Sequence, residues 1–325
     1  MSTHYAEGED LEIKPKQPSV KAFVEEVIIR PDFSLKEAEE KWLNKRFDRT
    51  HLFKYRPETS TFYRTEDGEN KLLFLRDVLS PDIYKKAYDQ VRDHRIYTPA
   101  SDSKRAALKD SPGGDCLFGY NDQLKPDSTG RRQTHPQLTA KSVKFFPRFR
   151  GLWPLCWEME ELLGLYVPGY WKGRQIDESH GPAFRAEEYR SDFFKYPAEY
   201  KSLVEAWENW GFWYNIPGSN FTTITCNWNT VFRAHKDANN SSGALSCLAA
   251  FGNYRHGELV FPRLDVAFGV KERDMLVCDC PRELHATVPP LGTRFSLVAY
   301  TREGLTKSGR WKAKKPKNDP ALLRH

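Results

Sequence analysis

Three residues in the second half of the chain have the types and spacing of a metal site. His235 and Asp237 stand two apart at the end of an alternating apolar segment, and His285 follows fifty residues later. Side chains two apart on an extended strand point the same way, so the first pair can share one ion. Two imidazoles and one carboxylate make the facial set that holds Fe(II) and leaves positions open for a substrate and O2. Arg294 comes nine residues after His285 and opens the apolar run Phe295-Ser296-Leu297-Val298-Ala299-Tyr300. Its planar guanidinium can grip a carboxylate with two N–H groups. A keto acid such as 2-oxoglutarate suits this layout, with its keto-acid end on the iron and its far carboxylate on the arginine.

The His-x-Asp pair alone is weak evidence. With 9 His and 44 acidic residues in 325, chance supplies about one His-x-Asp/Glu pair, and the chain has two. The rival, His256-Gly257-Glu258, lies 29 residues before His285 and leads into the apolar Leu259-Val260-Phe261-Pro262, so it reads as a polar strand edge. Singly, His235 could be a surface histidine beside Lys236 and His285 an ordinary strand-end residue. Their setting favours the metal. Residues 244–251, 258–262, 266–270 and 275–278 are short apolar or alternating runs bounded by Gly, Asn, Pro or charge, as strands between turns should be. A double-stranded β-helix, or jelly roll, closes that many short strands without open edges.

Over residues 221–302 the text resembles the TET/JBP branch of Fe(II)/2-oxoglutarate dioxygenases, in particular the compact forms of mushroom-type fungi. The resemblance implies an α+β enzyme with a jelly-roll core that oxidises a methylated base in double-stranded DNA. It implies that His235, Asp237 and His285 hold Fe(II), and that Arg294, Ser296 and Asn227 bind 2-oxoglutarate, with O2 as the oxidant. It places Asn240 and Tyr300 against the target base, the first by hydrogen bonding and the second by stacking. Arg302 occupies the position where relatives carry a base-contacting histidine, and the cysteine-rich DNA-binding region of animal relatives has no counterpart in this sequence. 5-Methylcytosine is the first substrate implied, with N6-methyladenine and thymine as alternatives. A protein or small-molecule hydroxylase is the alternative of a different class.

Composition is compatible with this. At 39% hydrophobic residues the chain can bury a substantial core. No stretch approaches the ~20 apolar residues of a membrane span, and the polar N-terminus is not a secretory signal. Six scattered cysteines form no pair of CxxC units, so reduced thiols in a cytosolic or nuclear setting are expected. The net charge of +6 is unevenly placed. Residues 101–150 hold ten Lys/Arg against five acids, and residues 301–325 hold eight against two, which is a footprint suited to phosphate. Arg131 and Arg132 are the candidates for DNA-backbone contact, and the lysine-rich run 312–317 suits nuclear import.

The remaining elements read as support. Ser34 and Glu37 form a capping box that opens a helix running to about Arg46. A strand is expected over 71–78, then a helix capped by Ser80 with Pro81 at its first position and ending near His94. Residues 99–140 are rich in turn signals and read as a long loop. A helix over 153–163 should stop at Gly164, and another is expected over 197–210. The expected division is a mobile tail (1–22), one dioxygenase domain (23–305, with its jelly-roll core from about 216) and a basic tail (306–325).

Overall fold

The structure is a computed structural model that describes residues 24–68, 71–99, 113–126, 132–167, 216, 219–241 and 244–305. Both tails, the helix expected at 197–210 and Arg131 lie outside these residues. The N-terminal part contains β1 (Glu25–Ile29), α1 (Leu35–Trp42), β2 (Thr61–Thr65), β3 (Lys71–Leu75) and α2 (Pro81–Val91). Next come β4 (Thr98–Pro99), β5 (Gly114–Pro126), β6 (Arg132–Leu138), α3 (Ala140–Lys144), α4 (Phe146–Gly151) and α5 (Trp153–Tyr166). The C-terminal part is nearly all strand: β7 (Thr223–Trp228), β8 (Ser246–Phe251), β9 (Tyr254–His256), β10 (Leu259–Phe261) and β11 (Val266–Phe268). It ends with β12 (Met275–Cys278), β13 (Ala286–Thr287), β14 (Pro290–Gly292) and β15 (Phe295–Tyr300).

One large sheet runs β1-β2-β3-β12-β8-β15-β7-β5-β4, with β6 paired to β5 beyond its edge. A smaller sheet, β11-β10-β13, faces it, and β14 pairs with β9 at one end. This is the jelly-roll arrangement, with helices on the outer side of the large sheet. Strand periodicity divides its residues cleanly. Phe295, Leu297 and Ala299 of β15, with Ile224 and Cys226 of β7, join the buried cluster under α2, α4 and α5. Ser296, Val298 and Tyr300, with Thr225 and Asn227, face the cleft between the sheets. Cross-strand register keeps each row intact: Ser296 lies opposite Asn227 and Ala250, and Val298 opposite Thr225 and Leu248.

Several local expectations are corrected. The 99–140 segment is not one irregular loop, because β5 and β6 occupy much of it. Its glycines allow close backbone approach as well as turning. A Cβ on Gly119 (φ +89°) would lie 2.4 Å from the Thr222 carbonyl oxygen of the neighbouring strand. Tyr120 fills space in the helical core. Gly164 does not stop α5, which continues to Tyr166 because its buried face keeps packing through Leu162 and Leu163. Ser80 makes no side-chain cap; its hydroxyl is drawn instead to the Glu158 carboxylate on α5. The capping box at Ser34 and Glu37 is present, but α1 ends at Trp42. Asn44 (φ 62°) turns the chain there and donates its N–H to Ala234 O at 2.8 Å, joining the segment that carries His235. The strand expected over 71–78 ends at Leu75, and α2 ends at Val91.

Candidate active site

His235 and Asp237 do not sit at the end of β7, as alternation suggests. Asn229 (φ 45°) turns the chain after β7, and a separate segment lays itself along the edge of the smaller sheet. There His235 and His285 bridge through both backbone hydrogen bonds, each N···O 3.0 Å. That bridge is how a ligand fifty residues away in sequence arrives beside the first pair. The Asp237 N–H donates to Cys280 O at 3.0 Å, which anchors the carboxylate residue to the chain leaving β12.

The result is a cluster of three ligand atoms within 4.8 Å of one another. His235 Nε2 lies 3.7 Å from Asp237 Oδ1, and the two imidazole centres are 4.5 Å apart. Each ring is oriented from behind. His235 Nδ1 is 2.8 Å from Arg233 O, and His285 Nδ1 is 3.0 Å from Glu283 O. A carbonyl can only accept, so Nδ1 carries the proton in both rings and Nε2 keeps its lone pair for a metal. This donor set fits Fe(II). Behind His285, the buried Glu283 carboxylate is gripped by Arg263, whose Nε lies 3.0 Å from both carboxylate oxygens. Sequence reasoning missed that pair, since 20 residues separate its members and neither belongs to a recognisable motif.

Arg294 lies in the same cleft and is 5% exposed. Its backbone N–H donates to Asn229 Oδ1 at 2.7 Å, and its guanidinium sits 5.6 Å from the Tyr254 ring centre. Gly257 (φ +76°) packs against the Arg294 stem, where an added Cβ would come within 2.7 Å of Arg294 Cδ. The rival His-Gly-Glu motif thus has its glycine against the arginine, while His256 is well exposed on β9. Arg294 Nε and Asn227 Oδ1 are buried without a hydrogen-bond partner. Unpartnered buried polar atoms are costly, so both mark where a polar ligand belongs. Asn227 and Ser296 are register partners on the same cleft face.

The cleft has an open volume of about 690 Å³, including the part continuous with solvent. Tyr300 lines it, with its hydroxyl 3.2 Å from Thr225 Oγ1. Asn240 and Arg302 are not part of that lining. They pair with each other as a backbone bridge, and the buried Asn240 amide points to Asp237 Oδ2 (3.3 Å) and Ser246 Oγ (3.4 Å). The Arg302 N–H donates to Thr222 Oγ1 at 3.0 Å. Arg132 lies on β6, at the far end of the β5–β6 ribbon, opposite Pro126. Phe232, Thr287, Cys278 and Cys280 complete much of the wall, and no spacing signal in the sequence singled out the first two.

Residues 195–303 match the family model Tet_JBP, the oxygenase domain of the 2OGFeDO superfamily. The chain carries a Tet_JBP oxygenase domain. The matched domain makes the chain an oxidoreductase that uses Fe(II), 2-oxoglutarate and O2. Among solved structures, NgTET1 in complex with 5mC DNA is similar at 16% identity and a TM-score of 0.46, covering 84% of this chain and 89% of that one. A 2OG-Fe(II) oxygenase family member from Burkholderia pseudomallei is 13% identical, with a TM-score of 0.39 and coverage of 70% and 84%. OsALKBH1 is 12% identical, with a TM-score of 0.36 and coverage of 71% and 96%. No curated protein matches the chain. Among the described residues, no helix is long and apolar enough to cross a membrane.

Proposed function

We propose that this protein oxidises the methyl group of a methylated base in double-stranded DNA, with 5-methylcytosine as the first substrate, and that it acts in the nucleus. The observation that carries the reading is one cleft holding the His235–Asp237–His285 cluster, the buried Arg294 and the aromatic wall of Tyr300. In this reading His235, Asp237 and His285 hold Fe(II), and Arg294, Ser296 and Asn227 hold 2-oxoglutarate. Fe(II) in such a site supplies oxidation of 2-oxoglutarate to succinate and CO2, coupled to hydroxylation of a C–H bond.

The chain's own residues prepare that chemistry. The backbone carbonyls of Arg233 and Glu283 fix both imidazole tautomers, so no proton has to be displaced from Nε2 before metal binds. Asn240 holds one oxygen of Asp237, which favours a one-oxygen carboxylate ligand. Arg294, with Tyr254 and Gly257 behind it, offers a guanidinium already stripped of water to the far carboxylate of the cosubstrate. A base cannot react inside the helical stack, so it must be flipped out at a cost of a few kcal/mol. Stacking on Tyr300 would return about 1–3 kcal/mol of that.

The test is mass spectrometry of nucleosides from duplexes that each carry one methylated base, after incubation with Fe(II) and 2-oxoglutarate. Oxidised 5-methylcytosine, lost in His235→Ala, Asp237→Ala and His285→Ala but kept in His256→Ala, is the expected result. Turnover only of N6-methyladenine or thymine would move the substrate. Turnover of a peptide and of no base would overturn the DNA reading, and a dead His256→Ala beside an active His235→Ala would overturn the ligand set.

A further inference from the structure

Two of the six cysteines differ from the others in where they face. Cys278, the last residue of β12, and Cys280 lie on the same side of the extended chain, with sulfurs 3.0 Å apart. Both are free thiols, and both line the catalytic cleft. Cys278 Sγ also lies 3.8 Å from Ser246 O, so its S–H points to that carbonyl and the Cys280 S–H is left to point at Cys278. Both sulfurs are buried side by side in the wall of the cleft. Two thiols held this close are shaped for a ligand that takes both at once.

The remaining thiols give an internal contrast. Cys116 and Cys226 also face each other, across β5 and β7, but their row belongs to the core beneath the helices. Cys156 and Cys247 lie in the same helical core. None of these four lines the cleft. Cys280 has one further connection: its carbonyl accepts the Asp237 N–H at 3.0 Å, so whatever binds its sulfur sits beside the residue that carries the carboxylate of the cluster.

We propose that Cys278 and Cys280 form a vicinal-dithiol site in the wall of the catalytic cleft that captures trivalent arsenicals, and that its occupation closes the cleft. A hydrated arsenical R–As(OH)2 exchanges both hydroxyls for the two sulfurs. Two As–O bonds break, two As–S bonds form, and the two thiol protons leave with the hydroxyls as two molecules of water. Arsenic stays trivalent and no oxidant or reductant is consumed. Capture itself is independent of the iron and cosubstrate assignments; the loss of turnover rests on the active-site reading given above.

Phenylarsine oxide is the probe, applied to the folded full chain and read by intact mass under native conditions. The expected result is one adduct per chain, removed by 2,3-dimercaptopropanol, absent from Cys280→Ser and from Cys278→Ala, and retained in Cys226→Ala. Two independent variants keep the test usable if one of them fails to fold, which near-ultraviolet circular dichroism reports. Prior loading with Mn(II) and 2-oxoglutarate slows adduct formation if the sulfurs are reached through the cleft. An adduct that persists in Cys280→Ser, or no adduct in the wild type, overturns the site. An unchanged rate after Mn(II) and 2-oxoglutarate loading overturns its placement in the cleft. Turnover that survives full adduct formation overturns the closing of the cleft, whereas an enzyme inactive towards every methylated base but forming the adduct refutes the proposed substrate and leaves the dithiol site standing.

Discussion

Replacing Arg263 by methionine tests whether the metal cluster is held from behind. Arg263 is 8% exposed and Glu283 is fully buried, joined by a guanidinium that reaches both carboxylate oxygens. Methionine keeps the bulk of the arginine stem and removes the charge, which leaves the Glu283 carboxylate buried and unpaired. Breaking a buried pair from one side costs about 3–5 kcal/mol, while removing both partners together is neutral or stabilising by about 1–4 kcal/mol. Arg263→Met should therefore destabilise strongly, and Arg263→Met/Glu283→Leu should recover most of the loss. Metal binding should follow a different pattern. The Glu283 carbonyl that orients His285 is backbone, so it persists in every variant, but its position depends on the side-chain anchor. Loss of outer-shell support typically costs about 10–100-fold in metal affinity. The double variant should accordingly regain stability while Mn(II) affinity stays lowered. Urea unfolding and Mn(II) titration of the same samples separate the two effects. Wild-type stability in Arg263→Met, or full recovery of Mn(II) affinity in the double variant, would refute the idea that this pair positions His285.

Further outcomes test the cosubstrate pocket, a buried carboxylate and the expected DNA contact. Gly257→Ala puts a Cβ within 2.7 Å of Arg294 Cδ, on backbone that costs a non-glycine residue about 1–2 kcal/mol; the KM for 2-oxoglutarate should rise while kcat at saturation holds, and Arg294→Met should raise the KM further, by the ~1.5–3 kcal/mol of a charged hydrogen bond. Glu160, pushed up to about 7 chiefly by burial, against two hydrogen bonds from Asn220 that lower it, is stabilising in its neutral form. Its contribution is complete below the ordinary carboxylate value of 4.5 and is lost as pH rises through about 7. It amounts to roughly 3 kcal/mol across that window, so Glu160→Gln should flatten the fall in urea midpoint between about pH 5 and about pH 8. Neutralising Arg131 and Arg132 together should shallow the salt dependence of duplex binding by up to about two counterions' worth; an unchanged slope would remove both residues from the DNA contact.

The strands were legible where one face is buried and the other polar or functional. In β15 the alternation of Phe295, Leu297 and Ala299 with Ser296, Val298 and Tyr300 divides core from cleft, and no tertiary information is needed to read it. That His235, Asp237 and His285 cluster in one cleft with a buried Arg294 was legible for another reason, because such chemistry is restricted to few residue types. What could not be read was anything created by a partner distant in sequence. β5 looked like a loop because its glycines serve close approach to neighbouring strands, Gly114 to β4 and Gly119 to the start of β7, and glycine carries the same letter in a turn as in a crowded strand. Ser80 looked like a cap because the competing Glu158 acceptor is 78 residues away. Asn240 is placed against the substrate by resemblance; its amide lies 3.3 Å from Asp237 Oδ2 and 3.4 Å from Ser246 Oγ, and its backbone bridges to Arg302.

The alternation in β15 also makes register a functional quantity. A slip of one residue would turn Ser296, Val298 and Tyr300 into the helical core and Phe295, Leu297 and Ala299 into the cleft. Hydrophobicity opposes that slip along the strand, and a local device opposes it at the end. Beyond Trp228, where regular pairing stops, Asn229 takes a left-handed backbone (φ 45°). Its N–H donates to Arg294 O at 2.8 Å, and its side-chain oxygen accepts the Arg294 N–H at 2.7 Å. One residue thus supplies both halves of a ladder rung that the turning backbone could no longer offer. Asparagine tolerates the left-handed conformation better than most residues and carries an amide short enough to close the rung. The two bonds fix Arg294 to the sheet at the point where its side chain leaves for the cleft. The site therefore depends on the same residue twice: Asn229 ends β7 so that the chain can travel to the smaller sheet with His235 and Asp237, and it clamps Arg294 so that the opposite end of the cleft keeps its position relative to them.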